Sequence, residues 1–409
     1  MTQYKTIQTS GVIAVMQKAF KNGYQSNDKD WINFGQGSPE LGDIPGDFVR
    51  KTHIEIDNYT GYAPVGGLKE LRQLVADYYN HNFRLKKDSK YTWENICITT
   101  GGRTSLTKVL SIIKTTKMGY LSPDYASYAG ALGLFKDINS TPIFLDPKNG
   151  FQLSNQHLLE QMKKEKIDSF LLSNPSNPTG QLVEGLDLEK LINYCEKENI
   201  TLIHDEFYSR FVFKDDYFGK AISASEFIEN SEDDVFLIDG MTKSWRYPGF
   251  RLAWVVGPKT QIKEIIKASS FIDGGSSHPI QMAAIEHLKE ASKIGYTSSN
   301  RALQSTFKEK RDILAKALSK VNIRVNHIPE GTFYMFGDVS KLGSDKNTGD
   351  KFLDFMIQNK MIIVPGKYFD INPNEARKDI KYQNMVRFSY GPEKNIDAQG
   401  AQRHVNLMR

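Results

Sequence analysis

The sequence predicts an α/β protein: a large domain with a mostly parallel sheet sandwiched by helices, plus a smaller α+β domain. Three observations lead there. Short apolar runs alternate with segments of helical periodicity through the middle of the chain, a long charged helical segment breaks that alternation near residue 300, and the 409-residue length exceeds that of an ordinary single domain.

The strands of the large domain are predicted at residues 96–99, 118–121, 142–145, 170–173, 201–204, 235–238 and 252–256. Between them, Leu68, Leu71, Val75 and Tyr78, and again Leu188, Leu191, Ile192 and Cys195, fall at a spacing that lines one face of a helix. Helices on both faces of a mostly parallel sheet are the natural assembly of such a pattern. A helix predicted over residues 300–321, with Leu303, Phe307, Ile313, Leu314 and Leu318 as its apolar positions, connects the lobes. Beyond it, residues 331–336, 361–364 and 385–389 read as strands of the smaller lobe. Residues 1–45 carry no core of their own and are expected to pack there, so the domains are placed at 46–296, and at 1–45 with 297–409.

Composition narrows the function classes. Lys plus Arg number 53 against 48 Asp plus Glu, a net charge of +5 with no long block of like charge, which argues against nucleic acid as partner. Hydrophobic residues at 39% and charged residues at 25% are ordinary globular usage. The most apolar N-terminal stretch, Gly11 to Met16, is too short to span a bilayer. The only cysteines, Cys97 and Cys195, both lie in apolar patterns, so buried thiols in a reducing, cytoplasmic setting are expected. Metal-ligand spacings, dinucleotide glycine motifs and nucleoside-triphosphate loops are absent, and no metal site is expected.

The chemistry concentrates in segments that follow strands. Lys243 lies between two apolar strands, where burial lowers a lysine pKa and frees the amine as a nucleophile toward an aldehyde. Arg251, eight residues on, supplies a permanent cation for a phosphate, with Pro248 and Gly249 forming the turn between. Asn177, in Asn174-Pro-Ser-Asn-Pro-Thr-Gly180, follows the strand at 170–173, and Asp205 and Tyr208 follow the strand at 201–204. Gly101, Gly102 and Arg103 sit between a strand and a helix start whose free N–H groups suit an anion. In open α/β sheets ligands bind at such strand ends. His204 reads as a packed core histidine.

These motifs, together with Gly37-Ser-Pro, Tyr62-Ala-Pro-Val-Gly-Gly67 and Arg387-Phe-Ser389, occur in an order that resembles the fold-type I pyridoxal-phosphate enzymes of the class I/II aminotransferase family. The likeness runs over nearly the whole chain. It implies an aspartate-aminotransferase-like fold, pyridoxal 5′-phosphate as cofactor, and amino-group transfer between an L-amino acid and a 2-oxo acid. By the resemblance, Lys243 forms a carbon–nitrogen double bond with the cofactor aldehyde and then moves a proton at the substrate Cα. Asp205 faces the pyridine nitrogen and keeps it protonated. Asn177 and Tyr208 hydrogen-bond the ring O3′, Tyr125 stacks on the ring, and Gly101, Gly102, Arg103, Thr242 and Arg251 surround the phosphate. Tyr62 reaches in from a partner subunit, which implies a homodimer. Arg387 receives the substrate α-carboxylate, and Gly37 belongs to a segment closing over the substrate.

Two features depart from the family pattern. Gly240 stands three residues before the lysine, where the family commonly has a phosphate-binding serine, and Thr242 is the available substitute. The stretch around Trp245 is bulkier than expected. Residues 269–279 also contain no arginine, where dicarboxylate-specific relatives tend to supply one, so neutral or basic donors are expected, with Asp273 or His278 as side-chain contacts. The same catalytic set serves lyases, synthases and oxidases of this fold, and a non-catalytic cofactor-binding module is the remaining alternative.

Overall fold

The computed structural model describes residues 9–26, 28–51, 53–392, 400, 402 and 403; the other positions of the expected small lobe, 1–8, 27, 393–399, 401 and 404–409, lie outside the described residues. Among the described residues the principal element is a seven-stranded sheet of β2 (Ile96–Thr99), β3 (Lys117–Ser122), β4 (Asn139–Phe144), β5 (Ser169–Ser173), β6 (Thr201–Asp205), β7 (Val235–Gly240) and β8 (Ala253–Val256). Their spatial order is β2-β8-β7-β6-β5-β3-β4, with β8 antiparallel to both neighbours and the other pairings parallel. Every residue of β5 and β7 is buried, which explains why these segments read as unbroken apolar runs rather than alternating ones.

Helices α2 (Lys69–Asn82), α3 (Gly102–Ile112), α4 (Ser127–Leu134), α5 (Asn155–Glu165), α6 (Gly185–Lys197), α7 (Lys259–Ile272) and α8 (His278–Ile294) accompany that sheet. The stripe foreseen from Leu188, Leu191, Ile192 and Cys195 is the buried face of α6. Cys97 and Cys195 are buried and unpaired. Among the described residues no helix is long and apolar enough to cross a membrane, and no cluster of three potential metal ligands forms.

Helix α9 (Tyr296–Ser319) begins four residues before the predicted start. Tyr296 and Ser299 are polar to a periodicity count, yet Tyr296 packs against Trp245, and Ser299 accepts from Arg210, so tertiary contacts extend the helix. Beyond it, β9 (Tyr334–Asp338), β11 (Val364–Pro365) and β12 (Met385–Ser389) form an antiparallel sheet ordered β11-β12-β9. Helix α10 (Gly349–Gln358) packs on β10 (Met361–Ile362) and β11. The strand expected at 361–364 is divided. Its first half, β10 (Met361–Ile362), pairs in parallel with β1 (Ile32–Asn33), while Val364 turns to pair with Arg387. Together with α1 (Gly11–Lys21), which contacts β10 and β11, this joins the N-terminal segment to the C-terminal elements.

Candidate active site

Five loops leaving the C-terminal ends of β2, β3, β5, β6 and β7 converge, and each carries a motif singled out in the sequence. After β2, Gly101 takes a left-handed φ of 111° and α3 starts at Gly102. A Cβ on Gly101 would lie 2.4 Å from Arg251 Nη2, and one on Gly102 would lie 2.3 Å from the Phe207 ring. Only glycines let Arg251 and the Phe207 loop close on this helix N-terminus, an end whose N–H groups suit an anion. Thr242 Oγ1, next to Lys243, is buried without a hydrogen-bond partner among the described residues.

The missing serine at position 240 has a steric cause. A Cβ there would stand 2.5 Å from Ala253 Cα and 2.7 Å from the Leu252 carbonyl oxygen, because β7 and β8 pack backbone to backbone at this point. Trp245 likewise acquires a role. It stacks on Phe48 with centroids 5.7 Å apart, meets Tyr78, Tyr296 and His287 edge-on, and carries the Arg210 guanidinium 5.1 Å above its ring. Asp47 binds both Arg210 and Arg246, and Arg210 donates to the Ser244 carbonyl. The lysine loop therefore rests on a packed aromatic and ionic base.

Lys243 is half-buried and donates to the Gly37 carbonyl oxygen. Burial pushes its pKa down to about 7, helped by Arg387, Arg251 and Arg103 and opposed by Asp205. None of these three arginines pairs with a carboxylate among the described residues. Asp205 is pushed up to about 6 by burial, against the Tyr128 hydroxyl, which donates to Oδ2 at 2.7 Å, and the Phe207 N–H, which donates to Oδ1 at 3.3 Å. Both groups are thus shifted toward neutrality, and a pair of strongly perturbed groups at strand ends marks a candidate functional site.

Arg387 on β12 donates from Nη1 to Asn177 Oδ1 at 3.0 Å and from Nη2 to the Gly35 carbonyl at 2.8 Å, while its Nε is buried and has no partner among the described residues. Because Asn177 Oδ1 accepts from Arg387, its Nδ2 remains a donor for another ligand. Tyr125 accepts from Arg103 Nε at 3.2 Å and meets Tyr128 edge-on. Tyr208 shares a 2.8 Å hydrogen bond with Tyr334.

These contacts link Gly37, Gly101, Gly102, Arg103, Tyr125, Asn177, Asp205, Tyr208, Thr242, Lys243, Arg251 and Arg387 into one region. Tyr62 is the exception: it is fully exposed in the single chain. Of the proposed side-chain contacts, Asp273 is engaged by Lys108 at 2.9 Å and Thr100 at 2.8 Å, while His278 Nδ1 lies 3.1 Å from the Gly61 carbonyl. His204 is packed as expected and turns its Nδ1 to Glu206. Tyr128 and Tyr334 were not singled out. Tyr128 had a faint signal, three residues after Tyr125 at a helix start; Tyr334 had none beyond an apolar run.

The sequence model of the family described as aminotransferase class I and II matches residues 29–398. The chain belongs to this family. The aminotransferase is 29% identical, over 83% of its own length and 84% of the relative's, to a probable aspartate/prephenate aminotransferase of Aquifex aeolicus. It is 26% identical to an aspartate aminotransferase of Sulfurisphaera tokodaii, over 91% of this chain and 88% of that one. Among solved structures, the aspartate aminotransferase of Thermus thermophilus with maleate superposes with a TM-score of 0.80 at 21% identity, covering all of both chains. A methionine aminotransferase of Escherichia coli does so at 0.81 and 19%, again over the full length of both. The chain is accordingly a transaminase, a class that exchanges amino groups between amino acids and 2-oxo acids and generally uses pyridoxal phosphate. The aminotransferase's donor set fits that group: Thr242 Oγ1, without a partner among the described residues, the cradle at Gly101 and Gly102, and Arg251, which donates to the Pro248 carbonyl but meets no carboxylate among the described residues, suit a phosphate, and Asp205, within electrostatic reach of Lys243, suits a protonated ring nitrogen.

Proposed function

We propose that this aminotransferase uses pyridoxal 5′-phosphate, with Lys243 as the amine that holds it and later shuttles the substrate proton. The observation that carries the reading is Lys243 itself, placed just beyond β7 with its amine on the Gly37 carbonyl, where burial and the charges of Arg387, Arg251 and Arg103 lower its pKa. When bound, the cofactor supplies an aldehyde for the amino group and a ring into which charge from the substrate Cα can drain. The protein's own contributions are then distinct. Gly101, Gly102, Arg103, Thr242 and Arg251 would hold the phosphate, and Asp205 would keep a proton on the ring nitrogen. Asn177 and Tyr208 would donate to the ring's phenolic oxygen O3′, and Tyr125 would offer the ring an aromatic face. Arg387 takes the substrate α-carboxylate through Nε and its free N–H groups, a planar match that fixes the Cα substituents. Gly37 lets the N-terminal segment close above.

The same reading treats residues 46–296 as one domain and 1–45 with 297–409 as the other, and makes the active unit a homodimer. Val49, Ile56, Tyr62 and Phe271 are exposed apolar side chains, and Tyr59 and Gly61 pack against His278, so the loop bearing Tyr62 is held at the surface ready to serve a partner site.

For the donor, the lack of arginine in residues 269–279 supports neutral or basic side chains. A second reading, dicarboxylic donors, is favoured by one observation: Arg103 is exposed, steadied by Tyr125, within electrostatic reach of Lys243 and free of any carboxylate partner among the described residues. The aspartate aminotransferases among its relatives agree with that second reading.

Borohydride treatment of the cofactor-loaded protein, followed by peptide mass spectrometry, should leave a pyridoxyl group on Lys243; a protein that stays colourless after reconstitution, or label elsewhere, refutes the proposal. A donor panel then separates the substrates. At saturating cofactor, a strong aspartate or glutamate preference that in Arg103→Leu falls about 30-fold or more beyond the loss shared by neutral donors establishes the second reading. Preference for neutral or basic donors, with every donor affected alike by that change, establishes the first.

A further inference from the structure

Strand β9 delivers to the site a side chain that no motif marked. Tyr334 is buried, its hydroxyl 2.8 Å from that of Tyr208 and its ring 4.1 Å from the Arg387 guanidinium carbon. Its Oη also fills the space a Cβ on Gly37 would need, at 2.6 Å. One phenol thus touches Tyr208 after β6, Arg387 on β12 and Gly37, whose carbonyl accepts from Lys243. Strand register explains the reach. Arg387 lies opposite Phe336 and Ser389 opposite Tyr334, so Tyr334 is the diagonal neighbour of Arg387 on the same face of the sheet.

We propose that Tyr334 is a positioning residue with two separable parts: its ring sets the plane of Arg387 for the substrate α-carboxylate, and its hydroxyl donates to Tyr208, directing the Tyr208 proton at the cofactor ring oxygen. This rests on the roles assigned above to Arg387 and Tyr208. A phenol has one proton. Once that of Tyr208 is committed to an ionised ring oxygen, the 2.8 Å contact survives only with Tyr334 as donor, and a chain of donors polarises the bond at its end. The ring acts independently. Asn177 and Gly35 hold the two Nη atoms of Arg387 from the side, and a guanidinium lying on an aromatic face gains attraction and loses its out-of-plane freedom. Phe369 offers a further face at 4.9 Å.

Tyr334→Phe keeps the ring and removes the hydroxyl; Tyr334→Leu removes both. Each variant, loaded with pyridoxal phosphate, is compared with wild type in two readouts. The first is the pH midpoint of the bound cofactor's visible absorption. The second is the dissociation constant of 2-methylalanine, which carries the amino and carboxylate groups but no Cα hydrogen. Arg387 and Tyr125, the charged and titratable groups facing the Tyr208–Tyr334 pair, and Lys243 beyond Gly37, are the same in all three proteins.

The expected result is a midpoint about half a unit higher in both variants, since a weaker donor stabilises the ionised ring oxygen less. The dissociation constant should stay within about twofold in Tyr334→Phe and rise about tenfold in Tyr334→Leu. An unmoved midpoint in Tyr334→Phe overturns the hydroxyl role, and an unmoved dissociation constant in Tyr334→Leu overturns the ring role. Equal loss of affinity in both variants, accompanied by a lowered unfolding midpoint, assigns Tyr334 to stability alone and overturns both parts. A colourless wild-type protein would instead defeat the parent reading.

Discussion

At Lys243 a single ammonium is surrounded by burial and three guanidinium groups, and the consequence is measurable before any turnover. A lysine pKa lowered to about 7 leaves the free amine dominant above that pH and protonated below it. The rate at which cofactor-free protein acquires colour with pyridoxal phosphate should therefore level off above about pH 8 and fall about fivefold between pH 7 and pH 6. A rate that keeps climbing tenfold per unit to pH 10 would mark an unperturbed lysine. Asp205 has the opposite sign. Burial raises it, and the Tyr128 hydroxyl restrains the rise by favouring the carboxylate. Tyr128→Phe removes that donor, so the acid limb of kcat/KM should move upward by about half to one pH unit. An acid limb that stays where it was would show that Tyr128 leaves Asp205 unaffected.

At the scale of elements, the site depends on how β7 and its following loop are held. Trp245 sits among Phe48, Tyr78, Tyr296 and His287, uniting the segment after Gly37, α2, α8 and α9 under the lysine. Trp245→Ala should lower unfolding free energy by roughly 3–5 kcal/mol in urea titrations, the range for emptying a large aromatic site. Gly240→Ser tests the steric account of the absent serine. With Ala253 Cα 2.5 Å from the new Cβ, the strands must separate, and a loss of about 1–3 kcal/mol is expected with no gain in cofactor affinity. Tighter cofactor binding in Gly240→Ser would contradict that account.

For the whole molecule the open element is Tyr62, exposed in one chain and proposed to complete the site of another. Shared sites allow complementation. Lys243→Ala and Tyr62→Ala chains, each inactive or nearly so alone, should on unfolding and refolding together recover about a quarter of wild-type activity per site, because half the dimers are mixed and each mixed dimer holds one intact site. Activity no greater than the sum of the separate variants would place Tyr62 outside its partner's site.

The large sheet was legible because buried strands and striped helices are local, periodic facts of the chain, and residues 385–389 were found to the residue. The motif order pointed to the family and to Lys243, Asp205, Asn177 and Arg387, since strand ends of an α/β sheet converge by geometry. Tertiary structure alone decided the rest. Tyr334 meets Tyr208 across 126 positions and Arg387 meets Asn177 across 210, and the strand predicted at 361–364 is divided between two distant partners. Gly240, Trp245 and the early start of α9 likewise answer to neighbours far along the chain. Periodicity records what each residue needs from solvent and backbone, whereas these features depend on which remote atoms fill the adjoining space, and that is fixed only when the sheets and helices pack.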